Sequence, residues 1–245
     1  MKVLGVIPAR YASNRLPRKV LRDLRGKSLI QRVYERVRQC TELHKIIIAV
    51  DHQEVADCVA SFGAEWIMTS INHPSGTDRC AEILKHYAEY THLINVQGDE
   101  PFIDPKCIED LIQLLDDPKV KIASLMSPIQ QISDLVNPNI VKVVINKHSE
   151  AMYFSRSPIP HQRGMEISND LINEQSFRHI GIYGFEARTL FDITALPVGN
   201  LEKIEMLEQL RWLENGYRIH MGITHSLSIG IDTEEDLLIA IEKFK

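Results

Sequence analysis

Residues 5–28 read GVIPARYASNRLPRKVLRDLRGKS, a short apolar run that breaks at Pro8 into a loop loaded with arginine and lysine. The run at 3–7 has the length and β-branched content of a buried strand. Between Arg10 and Lys27 lie seven basic residues, Arg10, Arg15, Arg18, Lys19, Arg22, Arg25 and Lys27, against one acid, Asp23. A solvated charge run is the ordinary reading of such a segment. A loop directly after the first strand of an α/β sheet, kept turning by Pro8 and Pro17, is also where a polyphosphate would lie. Gly26-Lys27-Ser28 does not end a P-loop, because the pattern wants glycine where Leu21 stands, and GxGxxG is absent as well.

Outward from this stretch, β-branched apolar runs recur at 45–50, 65–68, 92–96 and 121–126, separated by segments of helical spacing. Residues 28–39 place Leu29, Ile30, Val33 and Val37 on one face, and 53–62 repeat the pattern with Val55, Val59 and Phe62. The alternation predicts a parallel sheet covered by helices. Strands at 151–154 and 181–185 around a polar, irregular stretch at 161–176 break the rhythm and are read as an insertion, at about 133–195, into a single domain spanning 1–245. A helix is expected at 201–214, a strand at 217–223, and a closing helix after Thr233 whose first turn holds Glu234, Glu235 and Asp236.

Composition narrows the partners. A hydrophobic fraction of 44% over 245 residues supports a sizeable core, and the net charge of -5 argues against general nucleic-acid binding, which favours a basic face. The basic loop therefore calls for a smaller anion. Cys40, Cys58, Cys80 and Cys107 show neither CxxC spacing nor clustered histidines, so no zinc site or disulfide framework is indicated. The first apolar run is too short for a secretory signal and no 18-residue apolar stretch occurs, so the expectation is a cytoplasmic protein with no membrane partner.

Ligands of open α/β sheets collect at the carboxyl ends of the strands, which singles out three more segments. In LINVQGDEP, residues 93–101, a strand runs into Gly98, Asp99 and Glu100. The acids form a turn pair before a helix or a Mg²⁺ carboxylate site, since Mg²⁺ takes one or two carboxylates plus substrate phosphates. In GIDTEEDL, 230–237, Asp232 reads either as a helix N-cap or as a second metal carboxylate. In HPSGTDR, 73–79, Ser75 or Thr77 caps a helix, or the turn's amides and hydroxyls read a ligand. In EMLEQLR, 205–211, Leu207 and Leu210 point inward while Glu205, Glu208 and Gln209 share a polar face, by default a solvated one.

IPARYASNRLP with Lys19, SGTDR, NVQGDEP, NPNIVKV, YFSR, RHIGIYG, EMLEQLR and GIDTEEDL follow one another from Ile7 to Leu237. In these eight blocks the chain resembles the 3-deoxy-manno-octulosonate (Kdo) cytidylyltransferases over nearly its whole length. The resemblance implies a Rossmann-like α/β nucleotidyltransferase fold, a doubly wound, mostly parallel sheet with a smaller inserted sugar-binding and dimerisation region. It implies a homodimer that condenses CTP with Kdo, giving CMP-Kdo and pyrophosphate for lipopolysaccharide assembly. Carried onto this chain, Arg10, Arg15 and Lys19 would hold the CTP phosphates, and Ser75, Gly76 and Gln97 would lie against the nucleotide. Asp99 and Asp232 would bind Mg²⁺ and, with Lys19, form the catalytic set; Arg156, His179, Tyr183, Glu208 and Gln209 would form the sugar site. One departure stands out: the family has ProGlyLys where this chain has Pro17-Arg18-Lys19, which matters if that position needs positive φ. The alternatives are the same reaction on 8-amino-Kdo or sialic acid, a non-catalytic nucleotide-binding protein, and an RNA-binding protein that would lack an aromatic stacking platform.

Overall fold

The computed structural model describes residues 1–13, 15–164, 168, 172, 174–226 and 230–244. Its scaffold begins with β1 (Val3–Ala9), wholly buried, whose alternate side chains serve opposite faces. Val3, Ile7 and Ala9 join one apolar cluster while Leu4 and Val6 join the other, the period of two that any strand imposes. β2 (Lys45–Val50) and β4 (His92–Asn95) flank β1, and β3 (Trp66–Met68) lies beyond β2, the four strands running parallel to one another. Further along the chain come β5 (Ile122–Pro128), β6 (Lys142–Ile145), β7 (Ala151–Ser155), β8 (Phe177–Glu186) and β9 (His220–Ile223).

The sheet order is β3-β2-β1-β4-β8-β5-β9, with β6 and β7 attached off this path through β8. β8 sits antiparallel between β4 and β5, while β5 and β9 are parallel again. The mostly parallel α/β sheet expected from the apolar alternation is therefore present. Helices cover both faces. α1 (Leu29–Val37), α2 (Gln53–Ser61), α4 (Pro105–Leu115) and α9 (Glu234–Lys243) pack into one cluster; α3 (Gly76–Lys85), α6 (Ala187–Thr194) and α8 (Gln209–Glu214) pack into the other. Two further short helices are α5 (Ile132–Val136) and α7 (Asn200–Glu205).

Two local features differ from the sequence reading or sharpen it. The helix expected over 201–214 is two helices, because Met206 takes left-handed backbone (φ 55) and ends α7 before α8 begins. Arg18 also takes φ 54, so the position at which the resemblance implies glycine adopts left-handed backbone here. The irregular stretch expected at 161–176 lies partly outside the described residues.

Candidate functional site

The carboxyl ends of β1 and β4 meet where Gly98 passes over Pro8. A Cβ on Gly98 would stand 2.4 Å from the Pro8 carbonyl oxygen, so only glycine lets Gln97 and Asp99 turn there. The basic loop folds back over this junction, and its one-turn 3-10 helix, Lys19–Leu21, aims Lys19 inward. The Lys19 Nζ donates to Asp99 Oδ2 at 2.6 Å and to Asp232 Oδ1 at 2.8 Å, and Arg15 Nη2 reaches Asp232 Oδ2 at 2.9 Å. Two carboxylates 133 positions apart in the chain thus converge on one ammonium. The backbone supports the pairing, since the Ile231 N–H donates to the Asp99 carbonyl at 2.9 Å.

The electrostatics follow from that geometry. Burial alone would lower the Lys19 pKa, but Asp99 and Asp232 outweigh it and hold the ammonium above its ordinary value. Burial would likewise raise Asp232, and the Lys19 and Arg15 cations reverse the sign. The N-cap reading of Asp232 is corrected: Thr233 caps α9, accepting from the Asp236 N–H, which leaves the Asp232 carboxylate to the cations. Among the described residues no group of three or more His, Cys, Asp or Glu could hold a metal ion. A pair of carboxylates already converged on one cation suits Mg²⁺, which usually completes its shell with phosphate oxygens and water.

This junction forms one end of a cleft of about 750 Å³. Arg10, Arg15, Lys19, Gly76, Gln97, Asp99 and Asp232 line it from the loop and strand ends. Arg156, His179, Tyr183 and Gln209 line it from β7, β8 and α8. Of the residues expected to contact CTP, metal or sugar, Ser75 and Glu208 do not line the cleft. Ser75 is the N-cap of α3, and the Glu208 oxygens lie 2.8 Å from Ser75 Oγ and 2.8 Å from Thr77 Oγ1. The expectation of a solvated face for 205–211 is also corrected. Gln209 is buried and Glu205 accepts from Ser155 Oγ and the Arg156 N–H, because β7 and α3 pack where solvent was expected.

The far end of the cleft is built on carbonyls. Arg156 donates Nε to Glu205 O (2.8 Å), Nη1 to Pro138 O (3.0 Å) and Nη2 to Met206 O (3.3 Å). A guanidinium has five N–H bonds, so one remains on each terminal nitrogen for a planar anion such as a carboxylate. Lys142, fully buried, donates to the Asn137, Ile140 and Arg156 carbonyls and so fixes the backbone that carries Arg156. His179 Nε2 lies 2.8 Å from Ser124 Oγ, which also faces the Ile180 and Ile182 carbonyls. Burial pushes the His179 pKa down to about 3, so its imidazole is neutral near pH 7.

A support that the sequence reading missed lies under the basic loop. Asp51, at the end of β2, accepts from the Tyr11 N–H at 2.8 Å and pairs with the fully buried Arg79 at 3.0 Å. Asp51 follows a parallel strand directly, the same positional signal that picked out Asp99, but its neighbours His52 and Gln53 gave no second cue.

Comparison with known proteins agrees with this architecture. The family model described as Cytidylyltransferase matches residues 4–219. The 3-deoxy-manno-octulosonate cytidylyltransferase of Parabacteroides distasonis is 48% identical over 242 residues, covering 97% of this chain and 96% of that protein. Its namesake from Bacteroides thetaiotaomicron is 46% identical over 249 residues, covering 100% and 99%. The solved structure of CMP:2-keto-3-deoxy-manno-octonic acid synthetase complexed with CTP superposes with a TM-score of 0.91 at 39% identity, covering 100% of this chain and 98% of that one. A thymidylyltransferase from Bacillus anthracis, 15% identical with a TM-score of 0.67, shares the fold alone. With the fold, the strand-end cleft and full-length relatives in agreement, the chain belongs to the 3-deoxy-manno-octulosonate cytidylyltransferase family.

Proposed function

We propose that the protein transfers CMP from CTP to 3-deoxy-manno-octulosonate, releasing pyrophosphate and activating the sugar for lipopolysaccharide assembly. The observation that carries this reading is one cleft with two chemically distinct ends. Cations and two converged carboxylates stand at one end, and a carbonyl-anchored arginine with a neutral histidine and a tyrosine at the other. A phosphate chain suits the first, and a sugar bearing a carboxylate suits the second.

In this reading the sugar hydroxyl attacks the α-phosphorus in line and pyrophosphate leaves, so the protein's work is positioning and charge neutralisation. Arg10, Arg15 and Lys19 hold the triphosphate, while Gly76 and Gln97 lie against the nucleoside. The spare N–H bonds of Arg156 take the sugar carboxylate, and His179, Tyr183 and Gln209 orient the hydroxyls; region 133–195 would thereby supply most of the sugar side. Asp99 and Asp232 would hold Mg²⁺, which supplies charge stabilisation at the α-phosphate and lowers the pKa of a bound hydroxyl. A cytoplasmic homodimer completes the proposal, supported by four unpaired cysteines and by exposed apolar side chains such as Met152, Ile204 and Met206. The chain has no described helix long and apolar enough to cross a membrane.

The deciding assay is pyrophosphate release from CTP, with and without Kdo and with and without Mg²⁺. Release that requires both is expected; release indifferent to the sugar would overturn the transfer reaction, and release indifferent to Mg²⁺ would overturn the metal role.

A further inference from the structure

The hydroxyl of Ser75 has more carboxylate around it than one hydrogen can serve. Ser75 Oγ lies 2.6 Å from Asp78 Oδ2 and 2.8 Å from Glu208 Oε1, and it accepts the Asp78 N–H at 3.1 Å. A serine hydroxyl carries a single hydrogen and two lone pairs. If both carboxyls were ionised, one of these short oxygen-oxygen contacts would hold no hydrogen. One added proton completes the set: Ser75 donates to Asp78, Glu208 donates to Ser75 Oγ, and Thr77 Oγ1 donates to Glu208 Oε2.

We propose that Glu208 is the un-ionised carboxylic acid of this pair and that it positions the Ser75–Thr77 turn, tying the nucleotide side of the cleft to the α7–α8 break on the sugar side. Asp78 stands in the first turn of α3, where the helix dipole favours a negative charge, which assigns the added proton to Glu208. The groups facing Glu208 agree with the assignment. Burial and the Asp78 charge raise its pKa against the Ser75 and Thr77 hydroxyls and Arg211, and Tyr183 and Cys80 beside it are buried and neutral. Leu207 and Gln209, its chain neighbours, line the cleft, and Gly76 packs against Pro8 and Gln97, so the link joins two walls of one site.

The positioning role rests on the reading that this turn faces the nucleotide, and the test separates the two. Infrared difference spectra of the full chain at neutral pH should show the carbonyl band of an un-ionised carboxyl that is absent in Glu208→Gln. Calorimetric titration with CTP should show Glu208→Gln within about twofold of the parent and Glu208→Ala weakened about tenfold, since the amide replaces the donor that alanine lacks. The parent's CTP affinity should fall on the alkaline side as Glu208 loses its proton, and Glu208→Gln should lack that limb. Absence of the band, or equal losses in Gln and Ala variants, would overturn the proposal. A parent that binds no CTP would sink the positioning role together with the nucleotide reading, while the infrared band decides the proton by itself.

Discussion

Lys19 is held between two carboxylates and also stands where the proposed reaction places the triphosphate. Its ammonium neutralises Asp99 and Asp232, and its side chain is only 13% exposed. In the proposed reaction it serves the triphosphate as a charge-assisted donor, a contact worth roughly 1.5–3 kcal/mol. Lys19→Ala is therefore expected to raise the KM for CTP about tenfold or more while leaving that for Kdo near the parent value. Equal KM values for CTP in the two proteins would remove Lys19 from the phosphate site. His179 gives a prediction in stability. Its folded pKa, about 3, lies below the ordinary histidine value of 6.5, so the unfolded chain takes up the proton first as pH falls. The His179 contribution is then fully present above pH 6.5 and is lost progressively as pH drops toward 3. Between pH 6.5 and 5 this amounts to about 2 kcal/mol, at about 1.4 kcal/mol per pH unit. Urea unfolding of the parent and His179→Gln at the two pH values measures it; parallel losses in both proteins would assign the acid sensitivity to other groups.

At the scale of elements, the α7–α8 break is what the sequence hid. The spacing of Leu207 and Leu210 fits a continuous helix, and nothing in Met206 marks it as the left-handed residue that ends one. The break is held instead by contacts distant in sequence or absent from any periodicity. Arg211 forms a two-pronged ion pair with Glu202 at 2.7 Å and 2.7 Å, with 6% and 14% of the side chains exposed, and adds the Leu196 carbonyl. The pairing of Glu208 was hidden for the same reason, because its hydroxyl partners come from the start of α3, some 130 residues earlier. By contrast, strands β1, β2 and β4 were legible from their apolar runs, and Asp99 from its place at a strand end, since those signals are local. The antiparallel placement of β8 between β4 and β5 was not, because strand order is a tertiary choice. Arg211→Ala is expected to leave Glu202 enclosed without its partner and to lower the unfolding free energy by roughly 3 kcal/mol. Chemical denaturation checks this, and a change below about 1 kcal/mol, the value of a surface pair, would mean the bridge does not hold the two helices together.

Across the whole molecule, the sheet's topology brings together what the chain separates. Asp99 follows β4 near the centre of the sheet, and Asp232 arrives from the segment before α9, beyond the far edge strand β9. A backbone hydrogen bond from Ile231 to Asp99 brings the second carboxylate beside the first. If the pair holds one Mg²⁺, replacing either aspartate by asparagine keeps the size but removes a hard anionic ligand, so each single variant should lose most of its turnover. The losses should not multiply. Once one carboxylate is gone the ion is already poorly held, and the second replacement has little left to remove, as for residues that act as a unit. The experiment is kcat against Mg²⁺ concentration for the parent, Asp99→Asn, Asp232→Asn and the double variant, with direct Mn²⁺ binding in the presence of CTP as a readout independent of turnover. Higher Mg²⁺ should recover part of the activity of each single variant, because the defect is in affinity for the ion. A parent-like metal response in Asp232→Asn would leave that residue as the counter-ion of Lys19 and Arg15, and a double variant impaired by the full product of the single effects would assign the two aspartates to separate tasks.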